Sequence, residues 1–449
     1  MNILIVGAGA VGFNLAKQLS QEGHDISIVE INSALVRKIN EKLDVFVMEG
    51  QGTSPKVLET CGIQDVEMVL AVTTSDEVNI VVCMLAKQYG VKHKIARIRN
   101  YEFTDKDFFS KNNGFCIDHM INPDLITVNS ILKIIETPGA TYVADFKDIN
   151  VVLRGFNIPN DAPIVNKSLS DLKEIEATDS FLIVAIQRGD EMIIPNDATV
   201  IAQDDTIFVI VAEAGIPYFL PMVTKRSAKV TKVIIYGATN IGLLIAKKFE
   251  KGTVDITLVE PDQGLAEKAA AELTKASVLN GTATDIDLLK EASIETTSFF
   301  IAASSDEQSN LLAAMLAKKF GSKKTIVITD EPDFIAIFRS LGMDVVMNPR
   351  QIMVSSILQY VRRGKIPSII KINESDAEAI EFVIEPGTKV EGKKLSNVKF
   401  PHGSILAAII RNGTMDIPNE NSIIHAGDRV IVFTLPTAIK KVQSFFTNK

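Results

Sequence analysis

MNILIVGAGAVGFNLAKQLSQEGHDISIVE, residues 1–30, decides the fold. An apolar run of strand character (Ile3 to Val6) meets Gly7-Ala8-Gly9-Ala10-Val11-Gly12, a helical pattern follows (Phe13 to Glu22), and a second apolar run closes on Glu30. Strand, glycines, helix, strand and acid in that order form the fingerprint of a dinucleotide-binding Rossmann unit. Gly7 turns the chain off the strand, Gly9 presents no Cβ to a pyrophosphate, and Gly12 lets the helix lie close on the sheet. The helix then directs free amides and roughly half a positive charge at the phosphates. Glu30 stands where a carboxylate accepts hydrogen bonds from an adenosine ribose. A 2′-phosphate would meet a like charge there, so NAD(H) or an adenine nucleotide is expected rather than NADP(H). The alternative is that the glycines serve only a tight turn and close helix packing.

Working outward, Ala34 to Leu43 reads as helix, Val45 to Met48 as strand, Ser54 to Thr60 as the opening of a helix and Met68 to Val72 as a fourth strand. Thr73-Thr74-Ser75-Asp76-Glu77 then leads into a helix through Lys87, with Ser75 or Asp76 as its N-cap. Ile95 to Ile98 supplies a fifth strand, with Arg97 and Arg99 near its end. This alternation predicts a doubly wound parallel sheet whose ligand lies beyond the carboxyl ends of the strands. Gly7, Glu30, Thr73 and Arg97 are expected to converge there. Thr73 and Thr74 can offer hydroxyls or amides to a nicotinamide-side ribose or phosphate, and Arg97 can neutralise a pyrophosphate. The plainer readings are β-branched residues closing a strand and a solvated arginine. Asp76 and Glu77 read as helix-start residues rather than catalytic acids, and His119 as structural.

The chain also repeats itself. Val233 to Gly242 restates Ile3 to Gly12, and Glu260 restates Glu30, each 230 residues on. Ser75-Asp76-Glu77 returns as Ser305-Asp306-Glu307, Met84 to Lys87 as Met315 to Lys318, and Asn122-Pro123 as Asn348-Pro349. Behind each Asn-Pro lies an amphipathic helical stretch, Ile126 to Ile135 and Ile352 to Val361, whose apolar stripe is either buried within the molecule or serves assembly. Ala185 to Arg188, Pro195 and Asp205 recur 223 residues later as Ala408 to Arg411, Pro418 and Asp428. These later segments hold short β-rich runs (Phe181 to Gln187, Thr206 to Val211, Ser404 to Ile410, Arg429 to Phe433).

The expected fold is therefore α/β, with two Rossmann-like doubly wound parallel-sheet domains, each followed by a small α+β domain. The boundaries are 1–122, a connecting helix 123–139, 140–224, then 230–348, a connecting helix 349–365, and 366–449, with Lys225 to Lys229 as the seam. The second fingerprint differs from the first. Thr239 replaces the middle glycine and the place of Arg97 falls on Ile328, which removes a charge-assisted phosphate contact. Gly237, Asn240, Gly242 and Glu260 are the candidate residues of this weaker second site, with a purely structural Rossmann copy as the alternative.

Composition bounds the rest. A chain of 449 residues exceeds one core. A net charge of −8 without a basic stripe argues against nucleic acid. Cys61, Cys83 and Cys116 lack metal-ligand spacing and read as reduced thiols, and the five histidines form no metal motif. No apolar run reaches the roughly 20 residues of a membrane helix, and the N-terminus has no signal-peptide pattern.

IVGAGAVGFNLAKQL, AVTTSDEVN, IARIRN and DHMINP, set in a doubled arrangement over essentially the whole chain, resemble the TrkA family of tandem regulator-of-potassium-conductance (RCK, or KTN) units. The resemblance implies a cytoplasmic protein, peripheral on the inner face of the membrane. It also implies assembly into a homo-oligomeric, tetrameric ring that gates a TrkH/TrkG-like membrane potassium-translocating subunit in response to nucleotides. Carried over, the first site comprises Gly7, Ala8, Gly9, Ala10, Val11, Gly12, Glu30, Thr73, Thr74 and Arg97, with NAD (NAD+ or NADH) as ligand and ATP or ADP as the other option. Two positions depart from the pattern. Gln51 and Thr282 stand where many RCK domains carry Asp, and Ala10 where many ATP-binding relatives carry Arg. A non-enzymatic sensor is the expected function. The alternative, an NAD-dependent oxidoreductase, needs an acid or base beside the nicotinamide, and the β-rich segments offer no such constellation.

Overall fold

The computed structural model describes residues 1–100, 103, 115–137, 139–146, 149–172, 181–189, 191–224, 230–361, 367–372 and 377–446. The seam expected at 225–229 lies outside them.

β1 (Asn2–Val6), β2 (Asp25–Glu30), β3 (Phe46–Glu49), β4 (Met68–Ala71), β5 (His93–Arg97) and β6 (His119–Ile121) form a sheet in the order β3-β2-β1-β4-β5-β6. Every neighbouring pair is parallel. Because helices cover both faces, β1 and β4 are apolar and buried almost throughout. The first small domain is an antiparallel sheet of β7 (Ala140–Asp145), β8 (Val151–Asn157), β9 (Phe181–Arg188), β10 (Glu191–Ile193) and β11 (Thr206–Ala212), in the order β10-β9-β11-β8-β7.

The second half follows the same plan. β12 (Lys232–Tyr236), β13 (Asp255–Glu260), β14 (Ser277–Asn280), β15 (Phe299–Ala302), β16 (Thr325–Ile328) and β17 (Val345–Met347) are ordered β14-β13-β12-β15-β16-β17. β18 (Ser368–Ile372), β19 (Ala377–Val383), β20 (Ser404–Arg411), β21 (Thr414–Asp416) and β22 (Arg429–Thr434) complete the second small domain, in the order β18-β19-β22-β20-β21. The architecture is thus two Rossmann-like parallel-sheet domains, each with a small α+β domain behind it.

Two details differ from the sequence reading. β6 and β17 are sixth strands that no periodicity signalled, each only three residues long. From the third strand to the fifth the halves correspond with a shift of 231 rather than 230, and at the sixth strand and the helix after it the shift is 226. Ser75 caps the helix Asp76–Gln88 by accepting from the Val78 amide, and the equivalent cap is Asp306, not Ser305. Asp76 is therefore not the cap. Its carboxylate accepts from the amides of Arg99 and Asn100, as Glu307 accepts from the Asp330 amide.

The helices Pro123–Glu136 and Pro349–Val361 exchange partners between the halves. Val128, Ile131, Ile134 and Ile135 are buried with Ile241, Ile245 and Ala246 of the second Rossmann domain. Met353, Val354, Ile357 and Leu358 are buried with Leu15, Ala16 and Leu19 of the first. The stripes are thus buried within the chain rather than left for assembly, each helix covering the other half's glycine-loop helix. His119, at the edge of the first sheet, stacks on Tyr360 of the second crossover helix with ring centroids 4.7 Å apart.

The small domains pack on each other. Leu153, Phe208 and Ile210 share one core with Ile370, Ala379 and Phe433, and the Tyr142 hydroxyl donates to the Lys371 carbonyl at 3.0 Å. Each sheet carries the same bidentate ion pair, Arg188 with Asp205 and Arg411 with Asp428. Burial alone raises the Asp428 carboxyl, but the Arg411 guanidinium and the His425 amide outweigh it and hold it below its ordinary range. A depressed folded-state pKa contributes stability above the unfolded value of about 3.9 and loses it as pH falls through the folded value. Asp428→Asn is expected to flatten the acid limb of stability below about pH 4. An unchanged limb in denaturant titrations across that range would remove Asp428 from the linkage.

Candidate functional site

The first glycine loop is held open at its mouth and braced from beneath. Gly7 has φ +100°, and a Cβ there would lie 3.0 Å from the Thr73 backbone, so only glycine permits this approach of β1 to the end of β4. A Cβ on Gly12 would fall 1.9 Å from the Gly7 carbonyl oxygen. At Gly9 it would meet nothing within 4 Å. Gly9 caps the helix Ala10–Gln21 with no side chain, so the first-turn amides face open space, as an anion site requires.

Glu30, buried at the end of β2, accepts from the Ala8 amide at 2.5 Å and the Asn32 amide at 2.8 Å. A carboxylate has about four acceptor positions, so capacity for ribose hydroxyls remains. Glu30→Ala leaves both amides without that partner. It is expected to cost about 1–3 kcal/mol of stability and to weaken nucleotide binding. Unaltered affinity on titration would take Glu30 out of the site.

Asn79, fully buried, ties the strand ends together, and sequence reasoning overlooked it. Its Oδ1 accepts from the Thr73 amide at 3.0 Å, and its Nδ2 donates to the Thr73 and Arg97 carbonyls at 3.2 and 2.8 Å. The available signal was its recurrence as Asn310, which makes the corresponding bonds to Ser304 and Ile328. Arg97 Nη1 donates to the Thr73 carbonyl at 2.9 Å, while its Nε is buried without a partner. Thr74, the residue after Thr73, is exposed. The loop residues Gly7 to Gly12, Thr73 and Arg97 thus meet at the carboxyl ends of β1, β4 and β5, with Glu30 beneath.

The second loop shares this scaffold but not the opening. Gly237 has φ +106°, and Glu260 accepts from the amides of Ala238 and Asp262 at 2.6 and 2.9 Å. Thr239 then closes the mouth. Its hydroxyl donates to the Ala303 carbonyl at 2.7 Å and accepts from the Gly242 amide at 3.3 Å, so the helix Asn240–Phe249 carries its own cap where a phosphate would bind. Asn240 is engaged as well, with Nδ2 3.4 Å from Asp124 Oδ2 of the first crossover helix. Among the described residues no cluster of His, Cys, Asp or Glu could hold a metal, and no helix is long and apolar enough to cross a membrane.

The residues at the first loop fit a nucleotide. They offer a cradle without a Cβ, a helix start without a side-chain cap, a carboxylate at the ribose position and a half-buried arginine.

Comparison with known proteins agrees with the architecture. The TrkA-N domain model matches residues 3–123 and 233–349, and the TrkA-C domain model matches 153–223 and 379–447. The Trk system potassium uptake protein TrkA of Vibrio alginolyticus is 32% identical over 438 residues, covering 96% of this chain and 95% of that one. The protein of the same description from Haemophilus influenzae is 32% identical over 438 residues, with the same coverage. Among solved structures, the GsuK RCK domain superposes with a TM-score of 0.62 at 14% identity, covering 99% of this chain and 94% of that one. The GsuK channel bound to NAD gives 0.62 at 14% identity, with 99% and 78% covered. Both share the fold. With its four domain matches in tandem and relatives aligned end to end, the chain belongs to the family of the Trk system potassium uptake protein TrkA.

Proposed function

We propose that the chain is a non-catalytic, nucleotide-sensing regulatory subunit. It assembles as a homo-oligomeric ring at the inner face of the membrane and controls a potassium-translocating partner of the TrkH/TrkG type. The observation that carries the ligand part is the first glycine loop, whose helix start has no side-chain cap and no Cβ at Gly9, with Arg97 held at the neighbouring strand end through Thr73. Glu30 favours NAD(H), ADP or ATP over a ligand with a 2′-phosphate. The second loop, capped by Thr239, has a structural role, and each chain holds one nucleotide.

The ring reading draws on a repeated apolar surface. Val81 and Met84 are 39% and 43% exposed on the helix Asp76–Gln88, and their counterparts Leu312 and Met315 are 49% and 39% exposed on Glu307–Lys319. Two ligands control such a ring only if they differ in affinity between its shapes. A coupling of about 1–3 kcal/mol changes the balance roughly 5- to 150-fold.

The test is calorimetric titration of the purified chain with NAD+, NADH, ADP and ATP, with light scattering for the assembly and absorbance at 340 nm for turnover. The expected result is one site per chain, affinities that differ between ligands, a multimer and no hydride transfer. Absence of binding would leave a structural ring protein. Steady hydride transfer would make the chain an oxidoreductase on the same fold.

A further inference from the structure

The two crossover helices begin with opposite charges, and each packs on the other half's glycine-loop helix. Asn122-Pro123-Asp124 opens the first and Asn348-Pro349-Arg350 the second. The Asp124 carboxylate stands 3.4 Å from Asn240, the first residue of the second-half loop helix. The packing behind this contact is matched position by position. Val128, Ile131 and Ile135 lie against Ile241, Ile245 and Ala246, and Val354, Ile357 and Val361 lie against Val11, Leu15 and Ala16. That correspondence puts Arg350 beside Ala10, the first residue of the first-half loop helix, whose methyl group offers no bond.

The ion pairs at the crossing show the same exchange of sign. Arg99 pairs with Asp124 at 3.2 Å, and at the equivalent place Asp330 pairs with Arg350 at 3.0 Å. The Arg350 side chain is 40% exposed, with Glu331 a looser 3.7 Å away. Its charge reaches Arg97, whose guanidinium titrates below its ordinary value chiefly through burial and then through Arg99, with Asp124 and Asp76 opposing and Arg350 adding a smaller repulsion. Three arginines and the carboxylates of Asp124 and Asp76 thus act on one region beside the first loop, and a bound anion there would add to the charge that offsets the arginines.

We infer that Arg350 completes the first nucleotide site from the opposite half, closing on the phosphates bound at Gly9 and Ala10, while Asp124 at the equivalent place keeps polyanions from the second loop. The ligand class is a nucleoside diphosphate group, free or within a dinucleotide. Its phosphates touch both halves of the chain, which makes the relation between the halves the property that the ligand reports. The inference rests on the first loop being the nucleotide site.

ADP titrated into the full-length chain at low and high salt tests it. Arg350→Gln is expected to weaken binding about 10-fold or more and to flatten its salt dependence, with Arg350→Lys recovering part of the loss. Asp330→Asn combined with Glu331→Gln removes the same ion pairs but keeps the arginine, and is expected to bind as tightly as the parent or more so. Parental affinity in a folded Arg350→Gln chain overturns the inference. Equal weakening in the Asp330/Glu331 double variant also overturns it, because loss of the ion pair alone would then account for the effect. Two ADP per chain overturn the role of Asp124. If the parent chain binds no ADP, or Gly9→Asp binds it normally, the reading of the first loop fails and takes this inference with it.

Discussion

Gly9→Asp is expected to abolish nucleotide binding at the first loop and to leave the protein folded. Gly9 is exposed, its φ of −59° is open to any residue, and an added Cβ meets nothing within 4 Å. The aspartate therefore fits the ligand-free chain, and its carboxylate occupies the opening that a pyrophosphate needs. Loss of the helix-amide contacts and repulsion between like charges together reach about 3–4 kcal/mol, or a factor of roughly 100 to 1,000 in affinity. Gly12 cannot serve for this test, since its Cβ would fall 1.9 Å from the Gly7 carbonyl oxygen and any loss of binding would follow from misfolding. Titration beside a thermal melt separates the two. Parental affinity in a folded Gly9→Asp chain would rule out the first loop as the site, and an unfolded variant would contradict the open geometry around Gly9.

Much of this site was legible in the sequence because its signals are local. Glycine at 7, 9 and 12 answers to backbone geometry within one turn, and Glu30 follows from the length of one strand-helix-strand unit. The repeat sharpened the reading, since Thr239 and Ile328 could be compared directly with Gly9 and Arg97. Contacts between distant segments were not legible. Asn79 looks like any helix residue until its amide is seen joining two strand ends, and β6 is too short for alternation to register. The apolar stripes after each Asn-Pro marked helices that must bury one face, but a stripe does not state which surface covers it. Opposite charges at Asp124 and Arg350 acquire meaning only once the helices are known to cross.

The crossing yields the second large effect, a substitution in one half that unfolds the other. Ile357 belongs by sequence to the second half, yet it is fully buried in the core that contains Ile3, Ile5, Leu15 and Leu19. Ile357→Asp removes an apolar side chain from that core and places a carboxylate there without a partner. Large-to-small substitution at such a position costs about 2–5 kcal/mol, and desolvating the carboxyl adds to it. The chain has several cores, so a single melting temperature is the wrong readout. Hydrogen exchange assigns the loss to a location instead. Protection is expected to fall in β1 and in the helix Ala10–Gln21, and nucleotide affinity to fall with it, while β12 and β15 stay protected. Ile131→Asp is expected to give the reciprocal pattern, with β12 and the helix Asn240–Phe249 exposed and β1 unchanged, because Ile131 is buried with Val233, Ile235 and Ile245. Loss of protection confined to the half that carries the substitution would mean that each helix covers its own Rossmann domain. Cross-protection would establish that neither glycine loop has a complete core without the other half, and so that a ligand at the first loop acts on the arrangement of both.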